Sequence, residues 1–122
     1  MKLKKVVILL AFFLFFAGSL LASNVATILN YPNPFAPPAQ STTIYYSLNN
    51  DANVRIYIFD ITNQLVKRFN FSSGSSGGIQ GTNVATWDGI SDFGDVVSND
   101  VYICNVVADG ALIGRCKIAV VK

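Results

Sequence analysis

After residue 25 the chain alternates apolar and polar positions with a period of two. Thr42–Leu48 (TTIYYSL), Asn53–Asp60 (NVRIYIFD), Gln64–Phe69 (QLVKRF), Thr82–Asp88 (TNVATWD), Val101–Val107 (VYICNVV) and Leu112–Val121 (LIGRCKIAVV) each read as a strand rich in β-branched and aromatic residues. Ala26–Asn30 (ATILN) adds a seventh. No segment beyond the N-terminal leader keeps a helical 3.6-residue period. Short polar connections at Asn49–Asp51, Ile61–Asn63 and Asp109–Gly110 suit hairpins. The glycine- and serine-rich Ser72–Gly81 reads as one long mobile connector. Short strands with turns every ~8–12 residues predict an all-β antiparallel sandwich. The predicted core comprises Tyr31, Phe35, Ile44, Tyr46, Leu48, Val54, Ile56, Ile58, Val66, Val84, Trp87, Tyr102, Val106, Ile118 and Val120.

The first 23 residues follow another rule. Lys2, Lys4 and Lys5 precede the unbroken apolar run Val6–Phe16, and the small residues Gly18, Ser19, Ala22 and Ser23 follow. This is the anatomy of a signal peptide, a signal helix over 1–23 cleaved after Ala22 or Ser23 and followed by one domain over 24–122. The rival is an uncleaved membrane anchor, since Val6–Ala22 carries no charge and reaches the lower limit of a ~17–25-residue span. Either way the chain is expected to cross the inner membrane and to reside in the periplasm, at the cell surface or outside the cell.

The leader also changes the charge balance. The chain of 122 residues has a net charge of +2, but three of its nine basic residues and none of its seven acidic ones lie in the leader. The mature part therefore carries six basic against seven acidic residues, net −1, and keeps no polybasic patch for nucleic acid.

All four prolines lie in Tyr31–Pro38 (YPNPFAPP). Proline fixes φ and donates no hydrogen bond, so the cluster predicts a stiff piece carrying the chain from one sheet to the other, with Tyr31 and Phe35 as inward anchors. Its alternative is a polyproline ligand for an aromatic groove.

Catalytic chemistry is poorly supplied. The chain has no His and no Glu, so neither a Ser/His/Asp nor a Cys/His arrangement is available, and no enzyme activity, cofactor or small-molecule substrate is expected. Asp60 and Asp88 each end an apolar strand, where Asx-turn capping is the simplest role. The one carboxylate cluster is Asp88, Asp92, Asp95 and Asp100 on a single connection, a weak candidate for a calcium ion that takes oxygen ligands. Its spacing is not that of the calcium-binding loop with alternating Asp/Asn ligands.

The strings NYPNPF, TTIYYSL, VRIYIFDITNQLVKRF, TWDG, DVYICNVVADG and the final KIAVVK occur in an order that resembles the immunoglobulin-like domain of flagellar hook-capping proteins. It is equally similar to the C-terminal sorting domain of type IX secretion cargo. The resemblance spans Asn30–Lys122 and implies an antiparallel immunoglobulin-like β-sandwich of about seven strands. Three positions depart from the family pattern. Asn63 stands where the family has Gly, Asn99–Asp100 stands where it has Ser-Gly, and Cys104 replaces a bulky side chain. Asn and Asp tolerate a left-handed backbone best among non-glycine residues, so the turns are expected to survive.

Parity places Tyr102, Cys104 and Val106 on one face of their strand and Cys116, Ile118 and Val120 on the matching face of the next. Residues opposed in an antiparallel pair share a face. A three-residue loop Asp109–Ala111 would pair Ala108 with Leu112 and set Cys104 across from Cys116, ready either to form a disulfide or to persist as two buried thiols.

Two functional expectations follow. The first is an exported structural module with protein partners in cell-surface or extracellular assembly. The second is a type IX sorting or anchoring domain lacking its cargo, recognised by secretion machinery. A membrane contact enters only if the N-terminal segment stays uncleaved. Both converge on the last strand, expected at an open sheet edge, with Lys117, Ile118, Val120 and Lys122 as the partner or sorting segment. Lys117 and Lys122 also suit the opposite role, discouraging edge pairing.

Overall fold

The computed structural model describes residues 26–122; the predicted leader, 1–23, lies outside the described residues. Eight strands form: β1 (Ala26–Thr27), β2 (Leu29–Tyr31), β3 (Thr42–Leu48), β4 (Val54–Phe59), β5 (Leu65–Phe71), β6 (Gly81–Trp87), β7 (Asp100–Ala108) and β8 (Ala111–Val120). They make a five-stranded sheet, β1-β8-β7-β4-β5, and a three-stranded sheet, β2-β3-β6. Buried side chains from both sheets form one core, so the chain is a β-sandwich.

The predicted first strand is two strands. The chain pairs with β8 through β1, turns at the half-buried Ile28, and pairs with β3 through β2. β1 runs parallel to β8, which makes the large sheet mixed rather than wholly antiparallel. The switch between sheets therefore occurs at Ile28 and not, as expected, through the prolines. The proline segment leaves β2 and returns to β3 within the same small sheet.

Strand faces follow the alternation. β3 buries Thr42, Ile44, Tyr46 and Leu48; β4 buries Val54, Ile56 and Ile58. Trp87 is fully buried, with Phe35 and Tyr102 each at a centroid distance of 5.7 Å from it. Edge-on and tilted aromatic contacts of this kind add to plain area burial.

Three expected core residues are placed differently. Tyr31 is 70% exposed and Val84 48% exposed, both on the outer face of the small sheet. In β6 the large Trp87 sets the parity, so Asn83 and Ala85 point inward and Val84 outward. Burying Asn83 is tolerated because its amide is satisfied: Nδ2 donates to the carbonyls of Ile79 (2.7 Å) and Gly81 (3.1 Å), and Oδ1 accepts from the Ile79 N–H. Val66 is only half-buried, as the extra residue of a bulge in the β4–β5 ladder.

The Ser72–Gly81 segment is a packed loop rather than a loose connector. Ala52 and Gly74 both donate to the Gly78 carbonyl, Gly78 donates to Ser75, and the buried Tyr46 hydroxyl donates to the Gly77 carbonyl at 2.6 Å. A Cβ on Gly77 would meet the Phe71 ring at 2.5 Å, and one on Gly78 would lie 2.6 Å from the Ala52 carbonyl oxygen. Glycine is needed here for close backbone approach as much as for freedom.

Turn chemistry meets its expectations in part. Asn63 takes φ = 67° and Asp109 φ = 48°, both left-handed. Asn99 and Asp100 take no positive φ; instead Asn99 Oδ1 accepts the Lys122 N–H at 2.9 Å, holding the chain end.

Candidate functional site

The proposed partner segment and the proline strap over Pro32–Pro38 meet along β8. β8 is not the open edge that was expected. Ile28 N–H donates to the Arg115 carbonyl at 3.1 Å. Next along, Asn33 inserts its side chain: Nδ2 donates to the Lys117 carbonyl at 2.9 Å, and Oδ1 accepts the Ala119 N–H at 2.8 Å. Phe35 then pairs by backbone, donating to the Ala119 carbonyl (3.0 Å) and accepting from Val121 N–H (3.1 Å). Backbone, side-chain amide and backbone thus follow one another along one strand edge.

This explains the sequence Pro-Asn-Pro. Neither proline has an N–H to offer β8. The asparagine between them supplies both a donor and an acceptor from its side chain, as a peptide group would. The strap is also tied to the small sheet. The buried Thr42 hydroxyl donates to the Pro32 carbonyl (2.8 Å) and accepts from Asn30 Nδ2 (3.2 Å), while Asn33 Nδ2 also reaches Asn30 Oδ1 (3.2 Å). The bonding role of Asn33 has no signal in the sequence beyond its place between two prolines.

Of the proposed partner segment, Ile118 and Val120 are core, and Lys117 and Lys122 project outward. A groove of about 530 Å³ lies beside Lys117, where Ala26, Ile28 and Leu29 face Ile103 and Asn33.

The four aspartates do not converge, and no cluster of three or more metal-ligating side chains exists among the described residues. Asp88 Oδ1 accepts the Ile90 N–H (3.0 Å), the Asx-turn role expected of it. Asp92 reaches β5, accepting the Arg68 N–H at Oδ2 (3.0 Å) and pairing Oδ1 with Lys67 Nζ (3.3 Å). Asp100 Oδ1 accepts the Val101 N–H. Asp95 places its own N–H on the Ser91 hydroxyl. Asp60 also caps its turn, accepting from the Thr62 hydroxyl and from the N–H groups of Thr62 and Gln64; these bonds hold its carboxyl below the usual carboxylate range.

Cys104 and Cys116 oppose each other in the β7–β8 ladder, as expected, but by another route. The turn is the two-residue Asp109–Gly110, pairing Ala108 with Ala111. A bulge that leaves Ile113 unpaired then shifts the register, so that Val106 meets Gly114 and Cys104 meets Cys116. Both are buried and both are free thiols in this structure. Hydrogen bonding to Cys116 and burial push the Cys104 thiol above its ordinary range.

No known family model matches the chain, and no curated protein matches it. Solved structures do. The fold is shared with dimeric latent PorU from Porphyromonas gingivalis, at 25% identity and a TM-score of 0.63 over 77% of this chain and 9% of PorU. It is shared with PorZ of the same organism, an essential surface component of the type IX secretion system, at 21% identity and a TM-score of 0.53 over 78% of this chain and 11% of PorZ. FlgD from P. aeruginosa matches at 18% identity and a TM-score of 0.51 over 80% of this chain and 76% of that one. The chain thus spans about a tenth of the length of PorU and of PorZ. The strings that carry the resemblance meet in space: Phe35 of NYPNPF, Trp87 of TWDG and Tyr102 of DVY form the aromatic cluster behind the strap.

Proposed function

We propose that the chain is an exported, non-catalytic immunoglobulin-like module that acts through protein contacts in assembly at the cell surface or outside the cell. The observation that carries this reading is the shared fold with PorU, together with the aromatic cluster formed by the resembling motifs. The residue inventory supports it, because Asp88 and Asp92 cap backbone or pair locally and the chain has no histidine. Fractionating the cells that make the protein and weighing its mature form tests the reading. A mature species starting near residue 23 or 24 and recovered outside the inner membrane is expected; a cytoplasmic species starting at Met1 rejects it.

A second reading, a type IX sorting or anchoring domain, is favoured by the similarity to PorZ, a surface component of the type IX secretion system. Lys117 and Lys122, exposed at the end of the strapped strand, are then the side chains the export machinery reads. A signal-bearing reporter fused to the N-terminus of 24–122 separates the two in a host with that machinery. Sorting predicts the reporter at the surface, and Lys117→Glu with Lys122→Glu returns it to the periplasm. The module reading predicts a reporter location that Lys117→Glu with Lys122→Glu leaves unchanged.

A further inference from the structure

The small sheet ends at β6, and this edge is unlike the others. β5 is covered by Asp92, whose N–H donates to the Val66 carbonyl and whose carboxylate takes the Arg68 N–H, and it carries Lys67 and Arg68 besides. β8 is covered by β1, Asn33 and Phe35. β2 is only three residues long. β6 runs for seven residues, Gly81–Trp87, and on its outer side no backbone hydrogen bond from another element reaches it among the described residues. It contains no charge, no proline and no bulge. These are the devices by which edge strands are normally kept from pairing.

We infer that β6 is a self-pairing edge, joining two copies of this chain antiparallel about a two-fold axis at Val84. A second copy is favoured over a foreign strand by symmetry and charge. In an isologous contact a lone charge in the strand would meet either its own copy or a neutral residue; Gly81–Trp87 carries no charge and pairs with itself at no such cost. The register centred on Val84 is the one that uses the whole strand. It opposes Val84 to its own copy, Thr82 to Thr86, Asn83 to Ala85 and Gly81 to Trp87. Each opposed pair has an even sum, so outward faces meet outward faces. Leu29, Tyr45 and Val84 already lie side by side across the small sheet and are all solvent-exposed. Self-pairing continues this apolar row across six strands, with Val–Val and Thr–Thr neighbours of the kind that stabilise antiparallel pairs. The inference is independent of the export route.

The test is the association state of the purified full chain, followed by sedimentation over a dilution series. A dimer that dissociates on dilution is expected. Val84→Glu sets two carboxylates against each other on the axis and should weaken association by more than about tenfold; the side chain points to solvent, so at dilutions where both proteins are monomeric its melting should match the wild type. Val84→Cys gives a positive readout. Opposed Cα atoms about 4.5–5.5 Å apart fall within disulfide range, so mild oxidation should cross-link two copies, whereas Thr43→Cys on the neighbouring strand should not. A wild-type chain that stays monomeric at every concentration overturns the proposal, as does a dimer indifferent to Val84→Glu. A monomer that instead binds an added extended peptide along β6 also overturns it.

Discussion

β8 and β6 are both long strands with a neighbour on one side only over most of their length, yet the chain finishes them in opposite ways. Along β8 a two-residue strand, one asparagine side chain and one phenylalanine backbone satisfy the outer groups of Arg115, Lys117, Ala119 and Val121 in turn. Along β6 nothing comparable occurs among the described residues. The difference lies in what each strand must do for the core. β8 carries Ile118 and Val120, both fully buried, so fraying it would open the interior. β6 is anchored from within by Trp87 and by the satisfied amide of Asn83, and its outer side is free for other uses.

The largest break in this comparison is expected at Phe35. It is 1% exposed, packs on Trp87, and holds Ala119 and Val121 through its backbone. Phe35→Ala should cost about 3–5 kcal/mol in urea unfolding, the range for a buried aromatic. Asn33→Ala comes next. It removes two neutral hydrogen bonds to β8 at a solvent-accessible site, about 0.5–1.5 kcal/mol each, without leaving a core cavity. A loss well below that range would show that water replaces the asparagine without penalty.

The position of β6 is probed through Tyr46. Burial raises its phenol from 10.0 to about 12. The folded state therefore keeps a proton that the unfolded state has lost, and the stability this provides is full below pH 10.0 and declines as pH rises toward about 12. Tyr46→Phe should reduce the decline, leaving the part due to Tyr102, whose phenol burial also raises. It should also cost about 1 kcal/mol at neutral pH, because the Gly77 carbonyl loses its donor. The smallest effect is expected from Lys117→Glu with Lys122→Glu. Both side chains are exposed and unpaired among the described residues, so melting should change by less than about 0.5 kcal/mol, leaving localisation as the informative readout.

Much of the fold was legible because alternation, turn residues and β-branched content all agreed along β3, β4, β7 and β8. The failures have physical causes. Val84 looks like core by composition, but Trp87 fixes the parity of the strand, and an asparagine with three local partners is a better inward residue than its apolar neighbour. Ala26–Asn30 reads as one strand because nothing in its residue types marks the change of sheet; the close seating of Ile28 over Gly114 does, and that is a tertiary fact. The cysteines oppose each other although the turn has two residues and not three, since a bulge at Ile113 has the same effect on pairing as a longer turn. The strap was visible as prolines, but its bonding was not. An asparagine side chain acting in place of a peptide group leaves no periodic trace.

Amide hydrogen exchange measured residue by residue on dilute protein tests the contrast between the two edges most directly. The account predicts that the N–H groups of Ala119 and Val121 exchange only through global opening, while every second amide of β6 exchanges much faster, because alternate N–H groups of an edge strand point away from the sheet. In Asn33→Ala the Ala119 amide alone should join the fast class. Ala119 exchanging in the native protein as quickly as the outward amides of β6, or those β6 amides being as protected as Ala119 at every dilution, would contradict it.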